Sequence, residues 1–141
     1  MESSAACWHR YGELLARDYS DPAYRTVHRL VVDAYAVQHP GQPSPQSIQS
    51  VAIHLMAFCV VFERHWDLDR ATRLLGVAAA TGHYAWLAPP PTPAVLTVLH
   101  PLAATSAAGH ATAVREWAHA AWQAWSAHHA QVRDWATRAG A

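Results

Sequence analysis

The chain is short of cysteine, of net charge and of long apolar runs, and each shortage removes a class of protein. Only two cysteines, Cys7 and Cys59, occur in 141 residues. They are too few for a disulfide framework, and no Cys-x-x-Cys spacing is present for a metal or redox motif. Ten Lys plus Arg balance ten Asp plus Glu, which leaves no basic surplus to neutralise phosphates, so nucleic acid is not an expected partner. The longest apolar run, residues 51–62 (VAIHLMAFCVVF), falls short of the roughly 20 residues that cross a bilayer. The N-terminus also lacks the basic and apolar regions of a signal peptide. A cytoplasmic protein without a membrane partner is the expectation. A nucleophile elbow, a phosphate-binding glycine loop, a His-Glu-x-x-His motif and internal repeats are all missing.

What is abundant is histidine and tryptophan, eleven and seven residues respectively. The imidazoles could add positive charge below about pH 6, although solvent exposure accounts for most of them. The length suits one compact domain, residues 1–141. Punctuation by caps, prolines and glycines, with few alternating β-branched stretches, predicts an all-α fold: a single helical bundle of four to five main helices with a long C-terminal helix.

The first helix is expected from about Ala5 to Arg17, with Trp8, Tyr11, Leu14 and Leu15 on one face. Asp21 followed by Pro22 reads as an N-cap with proline at the first helical position. The helix it starts should run to the His39-Pro40-Gly41 turn, with Tyr24, Val27, His28, Val31, Ala34 and Tyr35 facing inward. Ser44-Pro45 repeats the same signal for a third helix that stops near His65. Asp67 caps a fourth, closed by Thr81-Gly82. The segment APPPTP at 88–93 cannot be helical. Thr97 starts a short helix weakened by Pro101, and Thr105 or Ser106 opens a last helix of about 28 residues, roughly 40 Å long. In it Val114, Ala118, Ala121, Trp125, His128, Val132 and Trp135 draw one packing seam, with Trp117 and Trp122 widening it and Arg115, Gln123, Arg133 and Arg138 towards solvent.

His54 is the one polar side chain in the apolar run, and a buried ring nitrogen needs a hydrogen-bond partner, a metal or a ligand. With His28 and His128 it occupies an inward position on one of three helices, so the three imidazoles could bind one divalent metal, zinc, iron, nickel or manganese, leaving a coordination position open. The competing reading is that each ring is a core group bonded to a carbonyl, a tyrosine or a carboxylate. Asp33 stands in a helix otherwise apolar from Leu30 to Val37, so it should answer a specific donor: an Arg, a Tyr or a metal-bound imidazole. Glu63 and Glu116 are further carboxylates, read first as surface charge. His39 is read as a helix C-terminal cap. Of His128 and His129, about 100 degrees apart, one faces the core. His65, His119, His83, His100 and His110 are read as exposed.

The stretches CWHRYGELLARDYSDPAYRTVHRLVVDAYAVQHPG, PQSIQSVAIHLM and REWAHAAWQAWSAHHAQVRDWA together resemble a family of small bacterial helical proteins of unknown function, over nearly the whole chain. In fuller members a Cys-x-x-Cys segment with a further cysteine before the Trp resembles a metal-binding knuckle. This chain keeps only the last of these cysteines, Cys7. A looser, architectural similarity is to thiol-transferase-like four-helix bundles, which bring three histidines from separate helices to one divalent ion. No activity follows from either resemblance.

Three functional readings stand at this point. The first is a metal-binding bundle that would act, as an enzyme, on a small molecule, with His28, His54 and His128 as ligands and His54 and Asp33 as catalytic groups. The second is a metal-free small-molecule scaffold. In it an aromatic cavity, drawn from Trp8, Tyr11, Tyr24, Tyr35, Phe58, Phe62, Trp117, Trp122, Trp125 and Trp135, holds a ligand while histidines hydrogen-bond or move protons. The third is an interaction module whose aromatic faces form a homodimer.

Overall fold

A computed structural model describes residues 4–141. Helices α1 (Ala5–Ser20), α2 (Pro22–Arg25), α3 (His28–Gln38), α4 (Pro45–Phe58), α5 (Leu68–Thr81), α6 (Leu99–Leu102), α7 (Ala107–Ala124) and α8 (His129–Arg138) follow one another. No strand occurs among the described residues. The fold is an all-α bundle, as the punctuation predicts.

Most helix starts are written in the sequence. Ser4, Asp21, Ser44, Asp67 and Ser106 each turn a side-chain oxygen onto a backbone N–H of the first turn, satisfying donors that have no intrahelical partner. Ser44 and Ser47 exchange bonds reciprocally and fix the start of α4. α4 is the central helix. Val51, Ala52, Leu55, Met56, Ala57 and Phe58 are all buried, and the burial continues over Cys59, Val60 and Val61 in the π-helical turn at Cys59–Glu63. His65, at φ 55°, adopts the left-handed conformation that ends the helical path there. By length and composition alone the stretch Pro45–Glu63 would reach across a membrane, and half of it is packed inside the bundle. α4 packs against α3, α5, α7 and α8, and α3 packs in turn against α7 and α5.

Two expected helices are each broken. The segment after Asp21 divides at Thr26–Val27, where Val27 takes φ −110°, ψ 14° and buries its side chain. Arg25 then folds back to donate to the carbonyls of Asp18 and Tyr19 at the end of α1, at 3.2 and 2.7 Å, a favourable place for a cation. The long C-terminal helix is interrupted at Trp125, followed by a 3₁₀ turn at Ser126–His128 before α8 begins. The Trp122 carbonyl accepts the backbone N–H of Trp125 at 3.1 Å in a tightened turn, and the Nε2–H of His129 also donates to it at 2.9 Å while the His129 ring stacks on Trp122.

This break corrects the expected seam at one position. Val114, Ala118, Ala121, Trp125, Val132 and Trp135 are buried as predicted, but the core imidazole is His129 and not His128. His128 points to the proline-rich loop and donates from Nε2 to the Ala88 carbonyl at 2.9 Å. Trp8, expected on the buried face of α1, is 64% exposed.

Gly82, after α5, is required by close approach. A Cβ there would lie 1.9 Å from the Tyr84 hydroxyl, which donates to the Ala78 carbonyl at 2.8 Å.

Candidate functional site

Asp33 lies on the buried face of α3, one turn after Arg29, and its carboxylate is wholly inaccessible to solvent. A charge so placed needs partners. Arg29, four residues earlier on the same helix, donates from Nε to both carboxylate oxygens at 3.1 and 3.2 Å, and its Nη2 lies 2.8 Å from Oδ1. From α4, His54 donates its Nδ1–H to Oδ1 at 2.6 Å. The specific donor expected for Asp33 is therefore both an Arg and an imidazole. The two residues taken as catalytic candidates, His54 and Asp33, meet.

The contact fixes the chemistry of the ring. Nδ1 must carry a proton to bond a carboxylate, so the neutral imidazole is held as the Nδ1–H tautomer with a lone pair on Nε2. Nε2 has no hydrogen-bond partner among the described residues. His54, its side chain 13% exposed, lines a shallow depression of about 400 Å³ along α4 with Gln46, Gln49, Ser50 and Ile53. Arg29 Nη2 stands 3.4 Å from Nδ1, so guanidinium and imidazole converge as donors on one carboxylate. Such a ring can take a proton at Nε2 while its orientation is held from behind.

A second buried carboxylate, Asp18, lies near the end of α1. His28 donates from Nδ1 to its Oδ2 at 2.9 Å, and the Tyr19 hydroxyl stands 3.4 Å from His28 Nε2. On the other side His110 Nε2 lies 3.1 Å from Asp18 Oδ1, off the line of a hydrogen bond. His110 is fully buried in the first turn of α7, with Tyr24 edge-on to its ring. Burial holds its pKa below the ordinary 6.5, with the neighbouring Asp18 carboxylate pulling the other way.

The expectation of an exposed loop histidine at 110 is thus overturned. The Ser106 cap puts position 110 on the stripe of Ala113, Val114 and Trp117, all buried, a spacing the sequence displays. Asp18 was likewise readable as one turn beyond buried Leu14.

The three imidazoles proposed to share an ion each have a different partner: Asp18 for His28, Asp33 for His54 and the Ala88 carbonyl for His128. Among the described residues no group of three or more His, Cys, Asp or Glu is gathered to hold a metal ion. In place of one three-histidine centre the structure has two separate carboxylate–imidazole clusters. The cause is that α1 and α3 each supply a buried Asp, and that the break at Trp125 turns His128 away.

The remaining candidates have local roles. Glu63 accepts three hydrogen bonds from Arg133 at 2.6–3.0 Å, which hold its carboxyl below the usual range. Cys59 donates to it at 3.4 Å, and burial pushes that thiol up to about 12. Glu116 is exposed, 3.4 Å from His100. His39 stands at the C-cap of α3 as expected, its backbone N–H donating to the Tyr35 carbonyl at 3.1 Å, but it does not cap as a cation: burial lowers its pKa, and its ring packs against Tyr35 with centroids 4.3 Å apart. His65, His83 and His119 are exposed and His100 is half-buried. Trp117 and Trp122 pack solidly into the core, whereas Trp125 also borders a pocket of about 260 Å³ under the proline-rich loop.

The fold and these clusters define an all-α bundle with histidine–carboxylate pairs at its helix interfaces. The chain belongs to a family of unknown function, DUF5946, whose model matches residues 1–126. No curated protein and no solved structure matches it.

Proposed function

We propose that the protein acts on a small molecule by proton transfer at His54 Nε2, with Asp33 as the positioning group and Arg29 as its counter-ion. The observation that carries this reading is the 2.6 Å bond from His54 Nδ1–H to a carboxylate wholly removed from solvent. A buried acceptor that is itself held by a guanidinium cannot swing away. It fixes one tautomer and one ring orientation, which a general base requires and a surface histidine lacks. The polar side chains of Gln46, Gln49 and Ser50 beside the ring supply hydrogen-bonding groups to orient a polar substrate.

The test is acylation of the folded protein with diethyl pyrocarbonate at pH 7, mapped by peptide mass. His54 is expected to react more than about tenfold faster than buried His110. Asp33→Asn, with the fold verified by circular dichroism, should slow it by about tenfold as the tautomer is released. With p-nitrophenyl acetate as a generic acyl probe, His54→Gln should remove the histidine-dependent part of the hydrolysis. A His54 that stays unmodified while the protein is folded, or one whose reactivity ignores Asp33→Asn, overturns the reading.

A further inference from the structure

The pocket of about 260 Å³ lies between the proline-rich loop, the C-terminal end of α3 and the end of α7, away from the residues that border His54. Its walls include Val37, His39, Pro89, Pro93, Val98 and Trp125, with Cys7 of α1 at one side. None of the lining residues is Asp, Glu, Lys or Arg.

The loop that roofs this pocket is tied down at both ends. His128 donates to the Ala88 carbonyl at 2.9 Å, and the Gln38 amide donates to the Leu96 carbonyl at 2.8 Å. Gln38 in turn accepts from Trp117 Nε1 at 2.9 Å, so its amide joins loop, α3 and α7. Prolines between the two ties restrict φ. The cavity is therefore preformed, and a ligand does not have to order it.

The wall is uncharged but not wholly apolar: Gln38, His39, Thr92 and Thr97 are its polar residues, set among proline, valine and alanine side chains. Burial lowers the pKa of His39, so its ring brings no charge to the wall at pH 7. A cavity of about 150 Å³ holds benzene, so this one has room for two fused rings.

We infer that the pocket under the proline-rich loop is a binding site for an uncharged aromatic molecule of the phenol or naphthol class, its rings held by the proline and aliphatic side chains and its hydroxyl met by the uncharged polar residues of the wall. A wall without charged residues excludes a carboxylate or an ammonium, which would be buried without a counter-ion. This site is independent of proton transfer at His54.

Cys7 and Cys59 are the two thiols, and they make the test internally controlled. Cys7 lines the pocket and is half-buried, while Cys59 is buried with its thiol pushed up to about 12. The probe is 2-naphthol, and the readout is the rate of Cys7 alkylation by iodoacetamide, followed by peptide mass. 2-Naphthol at saturation should slow Cys7 by about fivefold or more, whereas 2-naphthoate should not. Ala124→Trp, which fills the pocket from its rim, should abolish the protection. Trp125 indole N–H shifts in NMR spectra supply a readout that does not depend on the thiol. The inference is overturned by unchanged Cys7 rates and Trp125 shifts with 2-naphthol, by equal protection from 2-naphthoate, or by protection that survives Ala124→Trp.

Discussion

Asp33 and His54 join α3 to α4 through a 2.6 Å hydrogen bond in which the acceptor is fully buried and the donor ring is 13% exposed. The pair is structural as well as chemical, since the same carboxylate carries Arg29. Asp33→Ala leaves a guanidinium and an imidazole half-buried without their acceptor. A loss of about 3 kcal/mol or more in unfolding free energy is expected, measured by urea denaturation. His54→Gln keeps an amide donor near Asp33 and should cost about 1 kcal/mol. Equal effects of the two substitutions would show that the carboxylate has no special weight.

Much of this arrangement was legible in the sequence because it depends on local rules. Caps at Asp21, Ser44, Asp67 and Ser106 announce their helices, and an acidic residue in an apolar helix announces that Asp33 has a donor. Pairings that depend on distant partners were not legible. Nothing near His28 in sequence periodicity selects Asp18 as its acceptor, and nothing local ends α7 at Trp125. That break is held by the stack of His129 on Trp122 and by the Nε2–H bond to the Trp122 carbonyl, an interaction that exists only once the helix has departed from regular geometry. His110 is a different case: the helix opened at Ser106 contains it and its spacing to Ala113, Val114 and Trp117 puts it on the buried stripe, but a histidine so near a helix start reads as exposed until that stripe is traced.

Stability should fall as the solution is acidified below about pH 6.5, and His110 is a principal cause. Burial depresses its folded pKa below the ordinary 6.5, so in the window between the two values the unfolded chain binds a proton that the folded chain refuses. The contribution is present above 6.5 and is lost as pH falls towards the folded pKa. His39, depressed by burial as well, acts in the same direction. Urea denaturation at pH 7.5, 6.5 and 5.5 should give a declining free energy for the native protein and a shallower decline for His110→Gln. An unchanged slope in the variant would remove His110 from this account.

The stack of His129 on Trp122, with ring centroids 3.6 Å apart and planes within 9°, is expected to hold the interruption between α7 and α8 in place. His129→Ala removes the ring contact and the only side-chain donor to the Trp122 carbonyl found among the described residues, at a cost of about 2–3 kcal/mol. His129→Phe preserves the stack and loses only the hydrogen bond, so it should cost about 1 kcal/mol. Thermal denaturation of both variants checks the order, and a His129→Phe protein as unstable as His129→Ala would assign the whole effect to the bond.

Gly82 and Tyr84 should behave as a coupled pair. Gly82→Ala drives a Cβ against the tyrosine hydroxyl and ring carbon, at 1.9 and 2.2 Å, so the ring has to leave its bond to Ala78 and its edge-on contact with Trp135. About 1–3 kcal/mol of destabilisation is expected from the forced displacement. Tyr84→Ala alone loses the same contacts, and in that background Gly82→Ala meets no ring and should add little. A double-mutant cycle by urea denaturation measures this coupling. Additive costs would mean that the tyrosine moves aside freely and that the glycine is tolerated for another reason.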